Sequence, residues 1–213
     1  MNRFLSLDSP IMRGLSRLAD LMMLNFYFLV TCIPIFTIGA ALTAMYTVTF
    51  RFNTEREEGV TRSYFRAFRE NFRQATGLWL LALLCMGLSF FDALFFYTRP
   101  GALRFLTVIF GLLFVVAAMV SAYAFPLLSQ FENTTKGTIR NAFLMSVGFL
   151  PRTLVICVLN LLPFGLLLMD LILFFQVGFV WFVLYFASAA YVNTILLRKI
   201  FAPYMEKAQE EEE

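Results

Sequence analysis

The sequence predicts an all-α fold: a polytopic transmembrane bundle of about six helices, paired as three hairpins, with an interfacial amphipathic helix. Three observations carry this. Hydrophobic residues make up 60% of the 213 and charged residues 15%, with a mean hydropathy of +0.76; soluble domains average about 45–50% and about 25%. Several apolar runs reach the roughly 20 residues that cross a hydrocarbon core. All 17 Lys and Arg residues except Arg99 and Arg104 fall in segments that such a bundle places on one side, as the positive-inside rule requires. The 27 Phe residues suit lipid-facing and helix-packing surfaces alike. Residues 1–213 read as a single transmembrane domain.

The N-terminus, "MNRFLSLDSPIMRGLSRLADLMM", is broken by Asp8, Arg13, Arg17 and Asp20 and carries no A-x-A cleavage site, so no signal peptide is read and the first apolar stretch is expected to stay as an anchor. That first region, Leu18 to Phe50, would extend about 50 Å as one helix, against a core of about 30 Å. Pro34 disfavours helix at Ile33 and breaks the backbone ladder. Thr37 can cap a new helix, and Gly39 permits close packing. The predicted result is a hairpin: one helix to about Ile33, an outer turn at Pro34, Thr37 and Gly39, and a second helix from about Ile38. One kinked helix is the alternative. It would move Arg3, Arg13 and Arg17 outside, leaving twelve basic residues inside and five outside, a weaker asymmetry.

A cytoplasmic connection follows over about 51–75. In "NTEREEGVTRSYFRAFRENFRQATG", Tyr64, Phe65, Phe68 and Phe72 share one helical face, while Arg62, Arg66, Arg69 and Arg73 share another. Thr61 is the expected N-cap. An aromatic underside with an arginine stripe suits a membrane surface with anionic headgroups or an acidic partner surface. Four spans are then predicted at roughly 76–96, 103–125, 142–168 and 171–197, the third beginning in earnest after Pro151 and Arg152. A charged tail closes the chain over about 204–213.

The polar residues argue mostly for packing. Asp92 and Asp170 are acids flanked by apolar residues on both sides, which makes them a candidate polar site for a substrate or proton. Their place towards the outer helix ends, near Arg99 and Arg104, allows water or an Asp–Arg pair to satisfy them instead. Asn25, Asn160, Gln176 and Asn193 are placed to hydrogen-bond between helices. Gly77, Gly87, Gly111, Gly148, Gly165 and Gly178 would let helices approach closely. Cys32, Cys85 and Cys157 stand singly in apolar runs and read as small buried hydrophobes.

No His is present, which removes the commonest general base and metal ligand. No nucleotide-binding, nucleophile-elbow or zinc-protease motif occurs. The chain is therefore expected to be no enzyme, with no catalytic residue, cofactor or metal and no nucleic-acid partner.

The stretch "LNFYFLVTCIPIFTIGAALTAMYTV", followed by "SYFRAFRENFRQATGLWLL", resembles the YesL-like family of bacterial multi-pass membrane proteins. The resemblance rests on Asn25, Pro34, Thr37, Gly39, Ala44 and Tyr46, then Phe65, Phe68, Asn71, Phe72, Gln74 and Ala75. "FPLLSQFENTTKGTIRNAFLMSVGFLPRTL" also looks like the family's third quarter. The family has no assigned function, so the resemblance implies no catalytic residues. Its members sit beside genes for carbohydrate ABC importers and glycan degradation in Gram-positive bacteria. It thus implies a cell-membrane protein that is an accessory or regulatory partner of an oligosaccharide importer and touches its permease subunits; the basic-residue count predicts that both termini are cytoplasmic. A small transporter or channel acting as a homo-oligomer is the other reading.

Overall fold

The computed structural model describes residues 10–52 and 59–210. Among them there are helices and no strands. Helix α1, Pro10–Thr31, opens on a proline, whose fixed φ and missing N–H suit a first helical position. It ends three residues before Pro34, whose backbone is extended. A 3-10 turn, Ile35–Thr37, then leads into α2, Ile38–Arg51. Thr37 acts differently from the expected N-cap. Its hydroxyl donates to the carbonyls of Thr31 (2.5 Å) and Pro34 (2.6 Å), so it closes the end of α1 instead of opening α2.

Helix α2 is the centre of the molecule. Eleven of its 14 residues are buried, against α3, α4 and α9. At Gly39 a Cβ would stand 2.4 Å from the Ala75 carbonyl oxygen and 2.6 Å from Trp79 Cβ. Only glycine admits that approach. The other six glycines named above have nothing within 4 Å of a Cβ, so the close contacts expected of them are not made.

Helix α3, Val60–Tyr97, is a single helix of 38 residues, about 57 Å long at 1.5 Å per residue. The amphipathic stretch is therefore not a separate connecting helix: from Val60 on it is the first half of α3, and residues 53–58 lie outside the described ones. Gly59 stands at the N-cap position, and Thr61 is already inside the helix, bonded to Tyr27 Oη at 2.9 Å. This half runs antiparallel along α2. Arg51 donates to Ser63 Oγ at one end (3.3 Å), and Gly39 meets Ala75 and Trp79 at the other.

Past Trp79, α3 leaves α2 behind and pairs with α4, Leu106–Gln130, through a 3-10 turn at Gly101–Phe105. Phe96 stacks on Phe110, Phe90 packs on Phe114, and Trp79 on Phe125. Gln74 Nε2 closes the base of this hairpin on the Asn133 carbonyl at 2.7 Å. Burial is confined to the base: the buried residues of α4 are Ala122 to Leu128, while its apolar residues nearer the tip, Val108, Leu112 and Val115 among them, are exposed. An all-apolar exposed surface of that length suits lipid.

Helices α5 (Thr135–Gly148) and α6 (Leu150–Met169) turn sharply at Phe149, where Thr153 donates back to the Ser146 carbonyl at 2.8 Å. Asp170 breaks the next run and caps α7 (Leu171–Gln176), accepting from the Leu173 N–H at 3.0 Å. Helix α8 (Gly178–Val180), a π-helical turn at Trp181–Tyr185 and α9 (Phe186–Glu210) complete the described chain. Among the described residues, four helical stretches are long and apolar enough to cross a membrane: Val60–Tyr97, Gly101–Gln130, Leu150–Met169 and Gly178–Met205. Ile35–Arg51 is apolar but shorter.

Candidate functional site

The first half of α3 sorts its residues by period. Ser63, Tyr64, Ala67 and Ala75 are buried, recurring at the three- and four-residue spacing of a helix face. Arg62, Arg66, Arg69 and Arg73 fall on the opposite side and are exposed, with Arg66 4.0 Å from Glu70. The aromatic face divides in two. Tyr64 is fully buried and shares a hydrogen bond with Thr31 Oγ1 (2.6 Å), and Phe68 packs against the core. Phe65 and Phe72 stay exposed. Half of the expected membrane-facing underside is therefore turned onto α1 and α2.

Tyr27 of α1 lies against both Tyr64 and Phe65, which joins the arginine-bearing half of α3 to the exposed side of α1. That side carries Leu15, Leu18, Met22, Phe26 and Val30, with Ile33 just past the helix end, all exposed. An apolar stripe and an arginine stripe thus flank one another.

The acids come apart. Asp170 is spent as a helix cap, and neither it nor Asp92 pairs with Arg99 or Arg104 among the described residues. The two arginines instead lie over aromatic rings, Arg99 over Phe95 at 4.3 Å and Arg104 over Tyr97 at 5.1 Å. No group of three or more metal-ligating side chains occurs among the described residues. Cys32 and Cys157 are half-buried, but Cys85 is exposed.

The asparagines do link helices. Asn25, fully buried, donates from Nδ2 to the carbonyls of Trp181 (3.1 Å) and Phe182 (2.7 Å) and accepts from the Ala187 N–H (3.0 Å). Those backbone groups belong to the π-helical turn and its exit, where the wider turn leaves them short of α-helical partners. Asn193 donates to Asn160 Oδ1 (2.9 Å) and to Tyr46 Oη (3.2 Å), while its own Oδ1 is buried without a partner among the described residues. Beside it, the hydroxyls of Thr49 and Thr194 meet at 2.8 Å. Tyr46 was not legible as part of this cluster, because a lone tyrosine in an apolar run reads like any other aromatic.

Residues 21–93 match the model of a family described as "Protein of unknown function, DUF624", a segment holding the second half of α1, all of α2 and most of α3. No curated protein matches the chain, and no solved structure does.

Proposed function

We propose that the chain is a non-catalytic integral membrane protein whose inner end docks a partner, and that the partner is a carbohydrate ABC importer. The observation that carries the docking is the direction of the arginine stripe. A helix about 57 Å long exceeds a core of about 30 Å, so half of α3 must leave the bilayer. The half with Arg62 to Arg73 is the one that leaves. At the centre of a bilayer each such arginine would cost about 2.5–3.5 kcal/mol. Trp79 and Tyr97 then mark the two interfaces, as amphipathic aromatics do.

Arg62 thereby stands about 25 Å from Trp79 along the helix, well beyond a Debye length of about 8 Å. Headgroups can attract Arg73 but hardly Arg62. A protein surface, acidic and apolar in turn to match the two flanking stripes, accounts for all four. Rim charges of this sort set encounter and register more than affinity.

The length of α3 also supports one topology. Helix α2 lies beside the half of α3 that leaves the membrane, so it is a buried core helix on the cytoplasmic side and not a span. The turn at Pro34, Thr37 and Gly39 then sits at the inner face, opposite to its expected outer position. Both termini remain cytoplasmic, with Arg99 and Arg104 alone outside. The importer as partner rests on the YesL-like resemblance and its gene neighbourhood in Gram-positive bacteria. Affinity purification in mild detergent should recover permease subunits, and Arg62, Arg66, Arg69 and Arg73 replaced together by Gln should reduce that recovery. Equal recovery from the Gln variant would overturn the docking role.

One observation favours a second reading, a small transporter acting as an oligomer. Buried Asn193 Oδ1, beside Tyr46 and Asn160, is a polar atom inside a helical bundle without a partner among the described residues. Sugar movement down its gradient in liposomes holding only this protein would establish that reading in place of the first.

A further inference from the structure

A groove of 140 Å³ runs along the outside of the molecule where α3, α4 and α5 meet. Its floor is α4, through Ala117, Val120 and Ala124; its walls are Leu78, Leu81 and Cys85 of α3 and Ile139 of α5. The lining is apolar throughout. The one hydroxyl in it, on Ser121, is committed to the Ala117 carbonyl at 2.8 Å. Such walls offer water no hydrogen-bond partner and suit an apolar guest.

The ends of the groove differ. Towards Tyr97 the helices continue as apolar surface. Towards Val60 the same face of α3 presents Gln74 and Asn71, and Gln74 is tied to the Asn133 carbonyl at the start of α5. Lys136, exposed, stands one turn before Ile139 on α5, and residues three apart share a helix face. Arg140, also exposed, follows Ile139. A greasy channel thus opens onto hydrogen-bonding groups and cations at the end where α3 leaves the apolar layer.

We propose that this groove holds a segment of one acyl chain of an anionic phospholipid of the inner leaflet, the leaflet resting on the topology proposed above, with the headgroup phosphate at Lys136. The charge order matches such a lipid: apolar along the tail, then the Lys136 cation where the phosphate stands, Gln74 and Asn71 being tied to the carbonyls of Asn133 and Ala67. A zwitterionic lipid would fill the groove equally well but bring a positive group to the same cations. The site does not depend on which protein docks at the arginine stripe.

The test uses the full chain, purified in mild detergent and offered phosphatidylglycerol or phosphatidylcholine with identical chains. Native mass spectrometry should show one retained phosphatidylglycerol in preference to phosphatidylcholine. Lys136→Gln, a change at an exposed position, should reduce that preference about fivefold, since a basic residue near anionic lipid is worth about one kcal/mol. Ala82 also lines the groove from α3, and Ala82→Phe should expel both lipids from it. Cys85 supplies a readout without substitution: its alkylation by N-ethylmaleimide should slow when phosphatidylglycerol is added. Equal retention of the two lipids, or a Cys85 rate indifferent to both, would reduce the groove to ordinary boundary surface and overturn the proposal.

Discussion

Two glycines on neighbouring helices show how position decides the sign of one substitution. Gly39→Ala would push a methyl to within 3.0 Å of three atoms at the α2–α3–α4 junction, two of them backbone or Cβ atoms that cannot swing away. It should destabilise the protein by about 1–3 kcal/mol, as overpacking does. Gly77→Ala meets nothing within 4 Å and replaces the costliest ordinary helix residue, so it should stabilise by about 0.5–1 kcal/mol. Thermal unfolding of the two purified variants should give shifts of opposite direction. Asn25→Leu tests the other buried device. It keeps the volume but strands the Trp181 and Phe182 carbonyls and the Ala187 N–H, each worth about 1–3 kcal/mol when buried and unmet. The variant should unfold well below the parent, whereas an unchanged melting temperature would mean that the π-helical turn does not need this clasp.

At the scale of elements, the sequence was legible where lipid and turn chemistry speak clearly. The helix break around Pro34, the restart at Ile38 and the apolar runs that became α3, α4 and α6 follow from period and proline, whereas the run predicted as one span over 171–197 is divided among α7, α8, the π-helical turn and the start of α9. What was not legible is which apolar helix is buried in protein. Thr43, Thr47 and Thr49 of α2 satisfy their hydroxyls on carbonyls within their own helix, so α2 reads as a span although its surroundings are other helices. Residues 60–75 misled for a related reason. Their alternating faces are those of a surface helix, and nothing in them reports that the helix continues unbroken to Tyr97. Spin labels at Phe65→Cys and Leu94→Cys measure that continuity. A straight α3 puts them about 44 Å apart, and a right-angle bend near residue 76 would bring them to about 32 Å. The longer distance is expected.

The whole molecule divides into two parts along α3. One part gathers α1, α2, the first half of α3 and the end of α4, with the inward faces of α5, α6 and α9, around a buried core. The other is a hairpin of bare apolar helices, and Gln74, Trp79 and Phe125 mark the boundary between them. The positive-inside count favours a hairpin over one kinked span, but it does not separate a hairpin that crosses the bilayer from one held on the cytoplasmic side: both leave Arg99 and Arg104 as the outer pair. The candidate docking face was half visible in the sequence, since the arginine period was plain. Its flank on α1 was hidden, because it depends on Tyr27 meeting Phe65 across 38 residues of chain. Whether α2 crosses the bilayer is the central claim, and single cysteines in a background without the native three measure it directly. With a membrane-impermeant maleimide, Thr98→Cys should label in intact cells, while Phe36→Cys and Arg62→Cys should label only after the membrane is opened. Labelling of Phe36→Cys from outside, together with Thr98→Cys, would contradict the account and restore α2 as a span.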